Sequence, residues 1–161
     1  MEPKYLDELQ VGDVFNTASR TITEADVVMF AGLTGDYTEI HTSRTMAEST
    51  QFGQRIAHGI LVLAYAHGLF MATKLTTPTG IALAGIEDWK FKAPVFFGDT
   101  IQVRITVSEI IPSRSKLDRG IVKFLFEVLK QDGSVVQCGT KVIMMKRSPE
   151  GIKRLEEIPA N

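Results

Sequence analysis

The run Ala57-His58-Gly59-Ile60-Leu61-Val62-Leu63-Ala64-Tyr65-Ala66-His67-Gly68-Leu69-Phe70-Met71-Ala72-Thr73-Lys74 decides the fold. Its apolar residues cover nearly every face of a helix, and a helix that is apolar all round is a buried one. The sequence downstream supplies what covers it. Ile101, Val103, Ile105 and Val107 alternate with polar residues, and Val122, Phe124, Phe126 and Val128 do the same after a break at residues 112–120. A period of two marks strands buried on one face. Gln131-Asp132-Gly133-Ser134 has hairpin-turn chemistry and leads into another apolar strand, Val135 to Met145, so the last third reads as an antiparallel meander. A further strand is expected from Ile81 to Lys92, ended by Pro94, which lacks the N–H that a central strand uses. The fold class is α+β, with four or five antiparallel strands curved around one long central helix.

Upstream of the helix, Leu9-Gln10-Val11-Gly12-Asp13 reads as a turn into a short strand at Val14 to Ala18. Thr23 stands three residues before Asp26, a capping-box variant, and Val27, Phe30 and Ala31 repeat at helical spacing, so a helix of about three turns follows. Gly32 and Gly35 weaken or end it, which leaves Asp36 in a loop running on to His41. Residues 42–47 form another short helical piece, ended at Phe52-Gly53. The segment after Ser148 is polar and carries no clear pattern.

Composition narrows the function. At 161 residues and 44% hydrophobic, the chain suits one domain, residues 1–161, with no internal repeat and no low-complexity linker. A net charge of -1 without a basic block makes nucleic acid an unexpected partner. Cys138 is the only cysteine, so a disulfide framework within the chain and a Cys-based metal site are both excluded. No signal peptide is visible at Met1-Glu2-Pro3-Lys4-Tyr5, and the longest strongly apolar run, Ile60 to Ala66, is far short of the roughly 20 residues that cross a bilayer. A soluble, cytoplasmic protein with no membrane partner is expected.

Asp36 and His41 are the candidate acid/base pair, five residues apart across a turn-forming segment. Taken singly, an Asp after Gly is more often a turn residue, and a lone His more often a satisfied polar side chain. The context gives the pair weight, because Gly59 stands where the chain enters the buried helix. Its amide is a first-turn donor with no partner inside the helix, and such donors hold a developing oxyanion. Close packing of backbone against a neighbouring element explains a glycine there equally well. His58 and His67 read as hydrogen-bonded core or interface residues rather than metal ligands. Gly98-Asp99-Thr100 reads as a turn without a catalytic part. Lys90 and Lys92 share a strand face, solvated or touching the phosphates of a nucleotide-bearing substrate.

Phe30-Ala31-Gly32-Leu33-Thr34-Gly35-Asp36, His41, Ala47 six residues beyond it, and Ile56-Ala57-His58-Gly59 together resemble the MaoC-like dehydratases, or R-specific enoyl-CoA hydratases, of the hot dog fold. Phe91-Lys92-Ala93-Pro94-Val95 and Gly98-Asp99-Thr100-Ile101 are similar to that family's later strand-turn-strand. The resemblance implies reversible hydration of a trans-2-enoyl thioester of coenzyme A or acyl carrier protein to the R-3-hydroxyacyl thioester. Asp36 and His41 would be the catalytic pair and the Gly59 amide the oxyanion donor, with no metal or redox cofactor. It also implies a homodimer or a trimer of dimers. Two departures stand out: Thr38-Glu39 replaces the usual Asn-Pro between the pair, and His67 replaces a small hydroxyl residue on the central helix. The alternatives are a hot dog thioesterase and a non-catalytic acyl-thioester-binding module.

Overall fold

The computed structural model describes residues 1–157. A 3-10 turn at Leu6–Glu8 leads to β1 (Val14–Asn16) and β2 (Arg20–Thr21), then to the helices α1 (Glu24–Thr34), α2 (Glu39–Thr42), α3 (Arg44–Glu48) and α4 (Gly59–Ala72). The long strands β3 (Gly80–Phe91), β4 (Thr100–Pro112), β5 (Arg119–Lys130) and β6 (Val135–Lys146) follow, and α5 (Pro149–Glu156) closes the described chain.

The sheet is antiparallel in the order β1-β4-β5-β6-β3, with β2 also on β4. The meander β4-β5-β6 is as the alternation predicts, and β3 adds to the outer edge of β6 instead of lying beside β4. The alternating residues Val103, Ile105, Val122, Phe124 and Phe126 all face α4 and are fully buried. They meet Leu61, Val62, Ala66 and Phe70, and the Phe70 ring lies 5.6 Å from Phe124 and 5.3 Å from Phe126. Rings so placed contribute beyond their buried area by about 0.5–1.5 kcal/mol a pair.

One face of α4 departs from the all-round burial that its composition predicts. Ile60 is 55% exposed and Met71 40%, with Ala64 and Gly68 open between them. The sheet clasps one side of the helix only. Among the described residues the outer edge of β3 is likewise unpaired and apolar, with Leu83 49% and Phe91 52% exposed.

α1 is held as its sequence predicts: Thr23 and Asp26 form a reciprocal capping box, and Gly35 ends the helix in the left-handed region at φ 77°. Gly32 lies within the helix and does not end it. Asp26 is buried at the junction of three elements, taking hydrogen bonds from Thr23, Arg20 on β2 (2.8 Å) and the Tyr65 hydroxyl on α4 (2.6 Å). Burial pushes its pKa up, but the bonds from Tyr65, Thr23 and Arg20 outweigh this and bring it down to about 2. This fixed carboxylate locks α1 to α4 and so sets where the following loop begins.

The described part of the polar segment after Ser148 forms the helix α5, Pro149–Glu156; residues 158–161 lie outside the described residues. Ser148 caps α5 by accepting from Gly151 N, and its own N and Oγ donate to Asp7 at 2.8 and 2.6 Å. Among the described residues no helix is long and apolar enough to cross a membrane.

Candidate active site

Asp36 follows the left-handed Gly35 cap and is exposed. Its Oδ1 accepts from Thr38 N at 3.2 Å and Thr38 Oγ1 at 2.5 Å. Those two bonds hold its pKa below the ordinary carboxylate range. Thr38 thus makes the turn that Asn-Pro would otherwise make. Glu39 points to solvent, forms no ion pair among the described residues, and is not among the charges acting on His41.

His41 sits on the single turn α2, not in the open loop that the sequence suggests, because Thr38 and Glu39 start a helix that Ser43 ends. Its Nδ1 lies 2.7 Å from the Ile56 carbonyl. A carbonyl only accepts, so Nδ1 carries the proton and Nε2 presents its lone pair. Burial lowers the His41 pKa below its ordinary value, partly offset by the Ile56 bond, and so favours the neutral imidazole.

His58, read from sequence as a core residue, is 2% exposed and lies against the pair. Its Nε2–H donates to the Asp36 carbonyl at 2.9 Å, and its ring stacks on His41 at 3.8 Å. Phe30 closes the other side at 5.0 Å. The signal lay in its place beside Gly59, but nothing local in sequence shows that residues 36 and 58 meet. One side-chain oxygen or nitrogen from each of Asp36, His41 and His58 lies within 4.8 Å of the others. With Nε2–H donating, His58 Nδ1 keeps a lone pair that is buried and without a partner among the described residues. That spacing suits a water molecule held between carboxylate and imidazole.

Gly59 opens α4, and its N–H has no acceptor among the described residues. The close-packing reading of this glycine is borne out by its contact with Phe91. A Cβ here would meet the Phe91 ring at 2.8 Å, while the free amide borders a cavity of about 410 Å³ lined by His41, Gly59, Phe91, Lys92, Pro94 and Gln137. Gln137 donates to Gly59 O at 2.9 Å and Trp89 to Gln137 at 3.1 Å, which braces the helix entry against β6 and β3. Lys92 reaches this cavity, whereas Lys90 is exposed elsewhere on β3. Asp99 is structural: it accepts from Phe96 N, Gln131 and Lys130 at the turn into β4. His67 does not join the Asp36 cluster and pairs with Lys141.

A capped helix, a turn-held carboxylate, an imidazole with a free Nε2 and a glycine at the mouth of the clasped helix define one class. The chain belongs to the MaoC-like domain family, whose model matches residues 8–124. It is 44% identical over 103 residues to Protein MaoC of Klebsiella aerogenes, covering 64% of this chain and only 30% of that one. It is 34% identical over 110 residues to the (R)-specific enoyl-CoA hydratase of Rhodospirillum rubrum, covering 68% of this chain and 74% of the relative. A solved MaoC-like dehydratase from Rhodospirillum rubrum superposes with a TM-score of 0.81 at 33% identity, covering 91% of this chain and 99% of that one. The curved sheet around one long helix is the hot dog fold.

Proposed function

We propose that this protein is a lyase that adds water to trans-2-enoyl thioesters and removes it from R-3-hydroxyacyl thioesters. The observation that carries the reading is the arrangement of His41, whose Nδ1 is tied to Ile56, which leaves Nε2 as the acceptor, on a ring with one nitrogen within 4.8 Å of an Asp36 carboxylate oxygen. Asp36 Oδ2 holds one proton of a water molecule. His41 Nε2 takes the other as the water oxygen bonds to the β carbon. The electron pair of the double bond moves onto the thioester oxygen, where the Gly59 N–H stabilises the enolate. The proton on His41 then passes to the α carbon on the same face, and the imidazole returns to its starting state.

The cavity at Gly59 takes the thioester, and Lys92 at that cavity suits the phosphates of coenzyme A or of a carrier-protein arm. The open stripe of α4 and the exposed apolar residues on the edge strand β3 are surfaces that a second copy would cover, and the functional unit is a homodimer. The reaction is tested with crotonyl-CoA in deuterium oxide. The expected product is R-3-hydroxybutyryl-CoA carrying one deuterium at the α carbon. Release of free thiol without hydration would assign a thioesterase instead.

A further inference from the structure

Gln137 on β6 is 2% exposed and lies on the inward face of the strand, where Ile143 and Met145 are buried as well. An amide in such a place is destabilising unless its polar atoms find partners. Two partners fix its orientation, and each allows one reading only. Trp89 Nε1–H can only donate, so Oε1 faces it at 3.1 Å, and the Gly59 carbonyl can only accept, so Nε2 faces it at 2.9 Å.

Those two bonds complete the brace at the helix entry and use one of the two Nε2 protons. The other has no acceptor among the described residues. Gln137 lines the same cavity as His41 and Gly59, and the Gly59 N–H is also without an acceptor among the described residues. The peptide nitrogen and oxygen of one residue are only about 3.5 Å apart, so Nε2, held on Gly59 O, stands near Gly59 N. Val62 and Val95 in the cavity wall offer no side-chain acceptor to either group. Two spare donors at one water-excluding cavity, beside a base, make the pattern of an oxyanion site.

We propose that Gln137 is a further catalytic residue, whose second Nε2–H donates to the thioester oxygen together with the Gly59 N–H. The inference rests on the reading that this cavity takes a thioester. As the water oxygen bonds to the β carbon, the electron pair of the double bond moves onto the thioester oxygen, and both N–H groups meet the charge that forms there. When the α carbon takes its proton from His41, the pair returns and the thioester carbonyl is restored. Neither donor gives up its own proton. The residue that braces the helix entry thus also aims a donor at the reacting group.

Two substitutions in the full chain separate this role from the brace. Gln137→Met removes every polar contact. Gln137→Glu in its acid form keeps both, accepting from Trp89 and donating O–H to Gly59 O, and lacks only the spare proton. With crotonyl-CoA at about pH 6, kcat is expected to fall by about 10²-fold in both variants, with KM within about threefold of the wild type. A Gln137→Glu protein with kcat near that of the wild type would reduce Gln137 to a brace and overturn the proposal. A second readout uses no turnover and no variant. Butyryl-CoA, which has no double bond to hydrate, is titrated into the 15N-labelled wild type, and one of the two Gln137 Nε2 protons is expected to move downfield. Both protons unmoved at saturation overturn the proposal. Should crotonyl-CoA not be hydrated, the hydratase reading fails while the butyryl-CoA titration still decides this one.

Discussion

A histidine stands beside a charged side chain at the N-terminal end of α4, His41 on α2, and another towards its C-terminal end, His67 on α4 itself, and the two are built in opposite senses. At the N-terminal end, His41 Nδ1 donates to a carbonyl, which leaves Nε2 with a lone pair on a ring that neighbours an exposed carboxylate. Towards the C-terminal end, His67 Nδ1 accepts from the buried Lys141 ammonium, which leaves Nε2 as a donor. The same side chain on one scaffold presents a lone pair in one place and an N–H in the other. What decides is the partner at Nδ1.

The largest effect that separates the two ends is expected from His41→Ala, which removes the base. The rate of crotonyl-CoA hydration, as kcat/KM, falls by about 10³-fold while the melting temperature stays near that of the wild type. Because burial lowers the His41 pKa, the imidazole keeps its lone pair at pH values where an ordinary histidine is protonated. The acid limb of the wild-type pH–rate profile therefore lies below pH 6.5. A limb above this value would show that burial does not govern the group.

Gly59→Ala is expected to have a smaller effect, about 10- to 100-fold on kcat/KM, because its Cβ would overlap the Phe91 ring and displace it into the cavity. Restoration of activity by the added substitution Phe91→Leu would attribute the loss to that overlap. No restoration would contradict that attribution.

At the other end the expected effect is on stability. Lys141 titrates at about 8 in the folded chain against 10.5 unfolded, so between these values the unfolded state binds more protons and folding stability rises with pH. Below about pH 8 the folded protein carries the whole penalty. Lys141→Met is thus expected to melt a few degrees above the wild type at pH 7 and to lose that margin by pH 10. A margin that did not change with pH would mean the ammonium is not desolvated.

Much of this was legible in sequence because it is periodic. The strands β4 and β5, the α1 capping box and the apolar α4 all announce themselves through spacing, and Asp36 and His41 through their turn and flanking glycines. What was not legible depends on contacts between distant segments. His58 meets Asp36 across 22 residues, and Lys141 meets His67 across 74. Lys141 did leave a trace: it shares the period-two face of Ile143 and Met145, both buried. The α5 helix was missed although Ser148-Pro149-Glu150 is a helix start, because the partner that fixes it, Asp7, lies 141 residues away. The exposed stripe of α4 was hidden for a different reason, since composition cannot tell cover by the same chain from cover by a second copy.

The central claim is that Asp36 and His41 act together on one water molecule, and Asp36→Asn tests it most directly. Asparagine keeps the size of the side chain and can still accept from Thr38, but it removes the negative charge that faces His41. The account predicts that hydration of crotonyl-CoA by this variant falls by about 10³-fold or more in kcat/KM, with melting temperature preserved. A folded Asp36→Asn protein retaining more than about a tenth of the wild-type rate would contradict it.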